Sequence, residues 1–237
     1  MTNRPVILND PTGHCPGRKP GQKCATNPKA MNLPDWWLKR SHIFIEGYGY
    51  FDIGHIKRGW QDAKWFEEET DRTLDRGGGI FKNPAVSNGF DYEVYYSVSA
   101  NLKNVSRDQK FGVLYGMYTD FERGYEEYQK DHLNPSAFSP EDLPSDHLGF
   151  WAYMNNLDMN EIPSLIKSLG KISTAPDSSL VIDSFGIPRN HEFSPMTYQT
   201  VRTRSASLTK LVNMPWPSWL EIDPVLSGPD TWQRIDK

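Results

Sequence analysis

The chain has 237 residues, 37% of them hydrophobic and 24% charged, with 18 Gly, 18 Pro, 2 Cys and a formal charge of −4. A chain this long buries a core without covalent staples, so two cysteines are no disulfide scaffold. No run approaches the ~20 apolar residues of a membrane span, and the acidic excess argues against a general nucleic-acid binder, whose phosphate affinity comes from clustered Lys and Arg.

Residues 1–34 differ from the rest. Pro5, Pro11, Pro16, Pro20, Pro28 and Pro34 alternate there with Gly13, Gly17 and Gly21. Proline removes a backbone donor and glycine adds chain entropy, so the segment reads as a turn-rich leader. It carries Arg4, Arg18, Lys19, Lys23 and Lys29 against Asp10, a net of +4, which leaves −8 for residues 35–237. That second part is read as a single globular domain. Met1 to Asp10 lack the basic-then-apolar pattern of a signal peptide, and none is expected.

Within the body, Ile43 and Ile45, then Tyr48 and Tyr50, alternate across Ser41 to Ile53 and predict two short strands or a bent one. The charged stretch Trp60 to Leu74 predicts a helix ended by Gly77, Gly78 and Gly79, since glycine accepts the left-handed conformation of a C-cap. Asp91 to Ala100 predicts a strand with Tyr92, Val94, Tyr96 and Val98 on one face. Ser106 and Gln109 spell a capping box. Phe111, Leu114, Tyr118, Phe121, Tyr125 and Tyr128 then recur at helical spacing, which predicts a long aromatic-faced helix over Ser106 to Asp131.

Ser139-Pro140-Glu141-Asp142 predicts a second helix start with Ser139 as N-cap, its first turn shortened or made irregular by Pro144, and Leu148, Trp151 and Ala152 continue an apolar face. Ile162, Leu165, Ile166 and Leu169 closing on Gly170 predict a third. Leu180 to Ile182 reads as a strand, and the chain beyond Ser194 as mostly polar and then extended, with Pro215, Pro217, Pro224 and Pro229. The fold class is therefore α+β: a small, mainly antiparallel sheet holding Ser41 to Ile53 and Asp91 to Ala100, packed on the long aromatic-faced helix with two further helices.

Asn9-Asp10-Pro11-Thr12-Gly13-His14 resembles the Asp-Pro-x-Gly turn that closes the core of bacterial Rhs/YD-repeat proteins, with His14 where the family usually has Leu and one turn where it often has two. Such proteins carry a variable C-terminal toxin domain after that turn. The resemblance implies a secreted effector domain delivered inside a larger carrier, with the Rhs carrier shell and a cognate immunity protein as partners. Gly47 to His55, Tyr115 to Gln129, and Phe138 to Asp146 with Gly149-Phe150 are also similar, in that order, to blocks of an uncharacterised bacterial family, which implies no activity.

Candidate chemistry centres on His55, just after a strand end, with Asp52 three residues before it. Such a histidine serves as a general base when a carboxylate fixes its tautomer; a turn histidine bound to backbone is the plainer alternative. Glu122 lies eleven residues after Phe111, about 20° away around the helix, at the edge of the apolar stripe where a carboxylate can serve as acid or base. Its plainer reading is an edge residue reaching solvent, and Asp120, Glu126 and Glu127 read as a solvated face.

Asp146 and His147 join the candidates from the Glu141 to His147 cluster, in which helix capping accounts for Glu141 and Asp142. No HExxH, paired CxxC or EF-hand loop is present, so no metal or cofactor is named. Cys15 and Cys24 read as a loop disulfide or two free thiols. Arg76 to Gly79 lacks the pattern of a phosphate loop. Tyr95 to Ser99 bears a slight likeness to the Ser-x-Ser strand of ADP-ribosyltransferases, without the Arg strand or Glu-x-Glu turn.

The residues thus lead to a hydrolase with His55, Asp52, Glu122, Asp146 and His147 as its acid–base group. A non-enzymatic module that binds protein or glycan through its Tyr and Trp residues is the competing class.

Overall fold

The computed structural model describes residues 33–87, 90–132, 137–173, 189–202 and 207–235. The Asp10 to Gly13 turn, Cys15, Cys24 and the strand expected at Leu180 to Ile182 lie outside them. In chain order the elements are α1 (Asp35–Lys39), β1 (His42–Ile45), β2 (Gly49–Asp52), α2 (Ile53–Asp75), β3 (Gly79–Ser87), β4 (Phe90–Val98), a 3-10 turn (Ala100–Asn104), α3 (Arg107–Asp131), α4 (Asp142–Met154), α5 (Ile162–Leu169), β5 (Ile172–Ser173), β6 (Met196–Arg202), β7 (Ser207–Asn213) and β8 (Trp232–Ile235). This is an α+β fold with small antiparallel sheets. No helix among the described residues is long and apolar enough to cross a membrane.

The chain divides into two compact units. One combines the residues up to Trp60 with Ser139–Glu221, the other Gln61–Phe138 with Ile222–Lys237. In the first, β1 pairs antiparallel with β2 on one side and β5 on the other, and β6 and β7 form a separate hairpin. Ile43, Ile45, Phe51, Ile53, Ile56, Leu148, Phe150, Ile162 and Ile166 are buried there.

The second unit is built on aromatic contacts. β4 pairs antiparallel with β3 and β8, and Tyr92, Val94, Tyr96 and Val98 are its buried face, as their alternation predicts. Phe66 packs against Phe81, Tyr96, Tyr118 and Phe121 with ring centroids 5.9 to 6.3 Å apart. The Ser106 capping box forms with both of its hydrogen bonds.

Several boundaries depart from the sequence reading. Ser41 to Ile53 and Asp91 to Ala100 do not share a sheet: the first supplies β1 and β2, the second β4, in different units. The helix expected at Trp60 begins seven residues earlier, at Ile53, because the Asp52 carboxylate caps it, and it ends at Asp75. Gly77 and Gly78, with φ of +90° and +91°, then close it by donating backbone N–H hydrogen bonds to the carbonyls of Leu74 and Thr73.

Helix α4 starts at Asp142, so Ser139 is not its cap. Pro144 sits within the first turn, where a missing N–H costs nothing because those amides have no intrahelical partner. The polar stretch beyond Ser194 forms the β6–β7 hairpin. Glu126, expected in solvent, is 1% exposed, and its carboxylate accepts the amide of Phe138.

Candidate acid–base centre

Three elements of the first unit meet around His55. Strand β2 ends at Asp52, and one oxygen of that residue, Oδ1, accepts the amides of Gly54 at 2.5 Å and His55 at 3.2 Å. This is an N-cap: a short acceptor satisfies amides that the first helical turn leaves open. The sequence Asp52-Ile53-Gly54-His55 therefore converts a strand into a helix and points His55 off the first turn of α2. A Cβ on Gly54 would stand 2.9 Å from Asp52 Oδ1, so a hydrogen is what fits beside the cap.

Helix α4 lies against this turn. The Asp52 amide donates to Ser145 Oγ at 2.8 Å, and Ser145 is fully buried. Gly149 permits the approach, since a Cβ there would collide with backbone atoms of Ile56 and Trp60. Asp142 and Asp146 are four residues apart, one turn, and share the helix face that meets His55.

His55 Nδ1 donates to Asp146 Oδ2 at 3.1 Å, and Nε2 lies 3.5 Å from Asp142 Oδ1. The Asp146 side chain is 0% exposed and that of His55 19%. Arg58, one turn along α2, brings Nη2 to 3.3 Å from the same Asp146 oxygen and 2.9 Å from His55 Nδ1. A protonated Nδ1 cannot accept, so Arg58 serves the carboxylate and merely abuts the ring. Asp146 Oδ1 is buried and meets no hydrogen-bond partner among the described residues.

The electrostatics follow from this packing. Burial alone would lower the His55 pKa, and Arg58 acts in the same direction. The charge and hydrogen bond of Asp146, with the charge of Asp142, outweigh both and raise it to about 9. His55 is therefore an imidazolium at neutral pH, a proton donor where the sequence reading had a base. His42 stands opposite Asp52 in the β1–β2 register, with Nε2 3.4 Å from Asp52 Oδ2 and 3.6 Å from Glu141 Oε1.

Of the residues expected to act together, Asp52, His55 and Asp146 do meet. His147 is on another face of α4: it is 2% exposed, stacks on Trp216 at 4.9 Å and donates Nε2–H to the Leu220 carbonyl at 3.0 Å. Burial holds its pKa down at about 4, so it stays neutral as a packing residue. Glu122 is 1% exposed and belongs to the second unit, on α3.

Arg58, Asp142 and His42 were not among the expected site residues. The i, i+3 spacing of His55 and Arg58 and the i, i+4 spacing of Asp142 and Asp146 were the available signals, but the first required the correct start of α2. One donor atom from each of Asp52, His55 and Asp142 lies within 4.8 Å of the others, so among the described residues these three could hold a metal ion. No family model, curated protein or solved structure matches the chain.

Proposed function

We propose that the chain is an Rhs-associated toxin or effector domain that acts as a hydrolase, with His55, Asp146, Asp142 and Asp52 as its acid–base centre. The observation that carries this reading is the seating of His55: Nδ1 is bound to a fully buried carboxylate, Nε2 lies 3.5 Å from that of Asp142, and Asp52 completes the cluster. Asp146 is a positioning residue, which fixes the ring and stabilises its charged form. Nε2 then gives its proton to the departing group, while a carboxylate, Asp142 or Asp52, takes one from the attacking water.

Four carboxylates in one small region (Asp52, Glu141, Asp142 and Asp146) repel phosphates, so peptide, glycan or small-molecule bonds suit the centre better than a nucleic-acid backbone. The Asp10-Pro11-Thr12-Gly13 sequence motif supports delivery inside a carrier. Expression in the bacterial cytoplasm or periplasm tests the proposal. The wild-type chain should arrest growth in one compartment, and His55→Ala, with an unchanged circular dichroism spectrum, should not. Equal toxicity of folded His55→Ala would remove the acid–base role and favour a binding module.

A further inference from the structure

We infer that Asp52, His55 and Asp142 form a binding site for one divalent cation, with His55 Nε2 as its nitrogen ligand and Asp146 as the residue that aims the ring. The inference rests on the reading of Nε2 as the acting atom of the centre and adds a second occupant. A lone pair that holds a cation cannot hold a proton, so the loaded form is a resting state of the acid–base group.

The donors are mixed, one imidazole and two carboxylates, and they come from three elements: the end of β2, the first turn of α2 and the first turn of α4. Their ligand atoms fall within 4.8 Å of one another. The 3.5 Å edge between His55 Nε2 and Asp142 Oδ1 is close to the roughly 3.4 Å expected between two ligands each about 2.1 Å from a tetrahedral ion. Behind the ring, Asp146 accepts from Nδ1, the outer carboxylate that metal-binding histidines commonly carry, which directs the Nε2 lone pair to the open side.

The independent observation is Asp146 Oδ1. It belongs to a residue that is 0% exposed, its carboxylate lies against the cluster, and it has no hydrogen-bond partner among the described residues. A buried carboxylate oxygen with no partner among the described residues is costly, and a cation held on Nε2 of the ring that the same carboxylate grips through Nδ1 offsets part of its negative charge. The local charge agrees. Asp52, Glu141, Asp142 and Asp146 gather here with Arg58 beside Asp146, and a divalent ion reduces the repulsion between the carboxylates.

Imidazole and carboxylate donors suit Mn2+, whereas thiols do not select it, so Mn2+ keeps Cys15 and Cys24 out of the measurement. The full chain is titrated with Mn2+ and the loss of the aqueous electron paramagnetic resonance signal is followed. The expected result is one site per chain, weakened at least tenfold by His55→Gln and by Asp142→Asn, and about 10- to 100-fold by Asp146→Asn, which leaves all three ligands in place. Absence of a site, or a site that folded His55→Gln and Asp142→Asn retain unchanged, overturns the inference. Neither result touches the acid–base proposal, which stands or falls on the toxicity of His55→Ala without added metal.

Discussion

His55 and His147 are the same side chain with opposite electrostatics, and the difference lies in what each is buried against. His55 is pressed between carboxylates and held charged; His147 lies on an indole face under a carbonyl and is held neutral. Stability follows from the second. In the unfolded chain His147 takes up a proton near pH 6.5, whereas in the folded chain it does so only near 4. The unfolded state therefore binds more protons between those values, and stability falls as the pH drops through them, by about 3 kcal/mol at the limit. Denaturant titrations at pH 7 and pH 4.5 check this. His147→Gln keeps a donor for Leu220 and loses the titrating ring, so it should lose much less stability over that interval than the wild type; parallel losses would refute the assignment.

At the scale of elements, the centre depends on how closely α4 approaches the first turns of α2. Gly149 sets that distance, because a methyl group there meets the Ile56 carbonyl and the Trp60 amide. Gly149→Ala should cost about 1–3 kcal/mol, the usual penalty for overpacking. It should also weaken the His55–Asp146 hydrogen bond, whose partners sit on the two helices being forced apart. Thermal melting reads the first effect, and the downfield imidazole Nδ1–H resonance of His55 reads the second. A drop in melting temperature with that resonance unmoved would show that the approach matters for packing alone.

The same element explains why the site was only half legible in the sequence. Asp52 and His55 stood out from their spacing, but as a strand end and a turn. The N-cap that makes them one rigid unit appears only once α2 is known to begin at Ile53. Glu122 was misplaced for a related reason. Its angle around α3 put it at the border of one apolar stripe, but α3 is buried on more than one face, with Glu122 and Glu126 both among its buried residues. Helical periodicity describes one face and has no information about a distant segment that covers another.

For the molecule as a whole, the acidic body and basic leader bear on the company it keeps. The proposed effector role predicts a neighbouring immunity gene whose product restores growth when co-expressed with the toxic chain. Rescue should require the intact pair and should fail with an immunity protein from an unrelated carrier; indifference to any such partner would count against the Rhs assignment.

The α+β class, the Ser106 capping box, the aromatic stripe of α3 and the buried face of β4 were all readable from residue order, because each depends on neighbours within a few positions. Which strands pair, and which carboxylates face His55, are matters of tertiary packing. β4 takes β8 from the far end of the chain as its partner, and His55 takes Asp146 from 91 positions away. Local sequence sets propensity and periodicity. The seating of His55 between a buried carboxylate and two others requires two helices and a strand end brought within hydrogen-bonding distance, and no interval in the sequence encodes that distance.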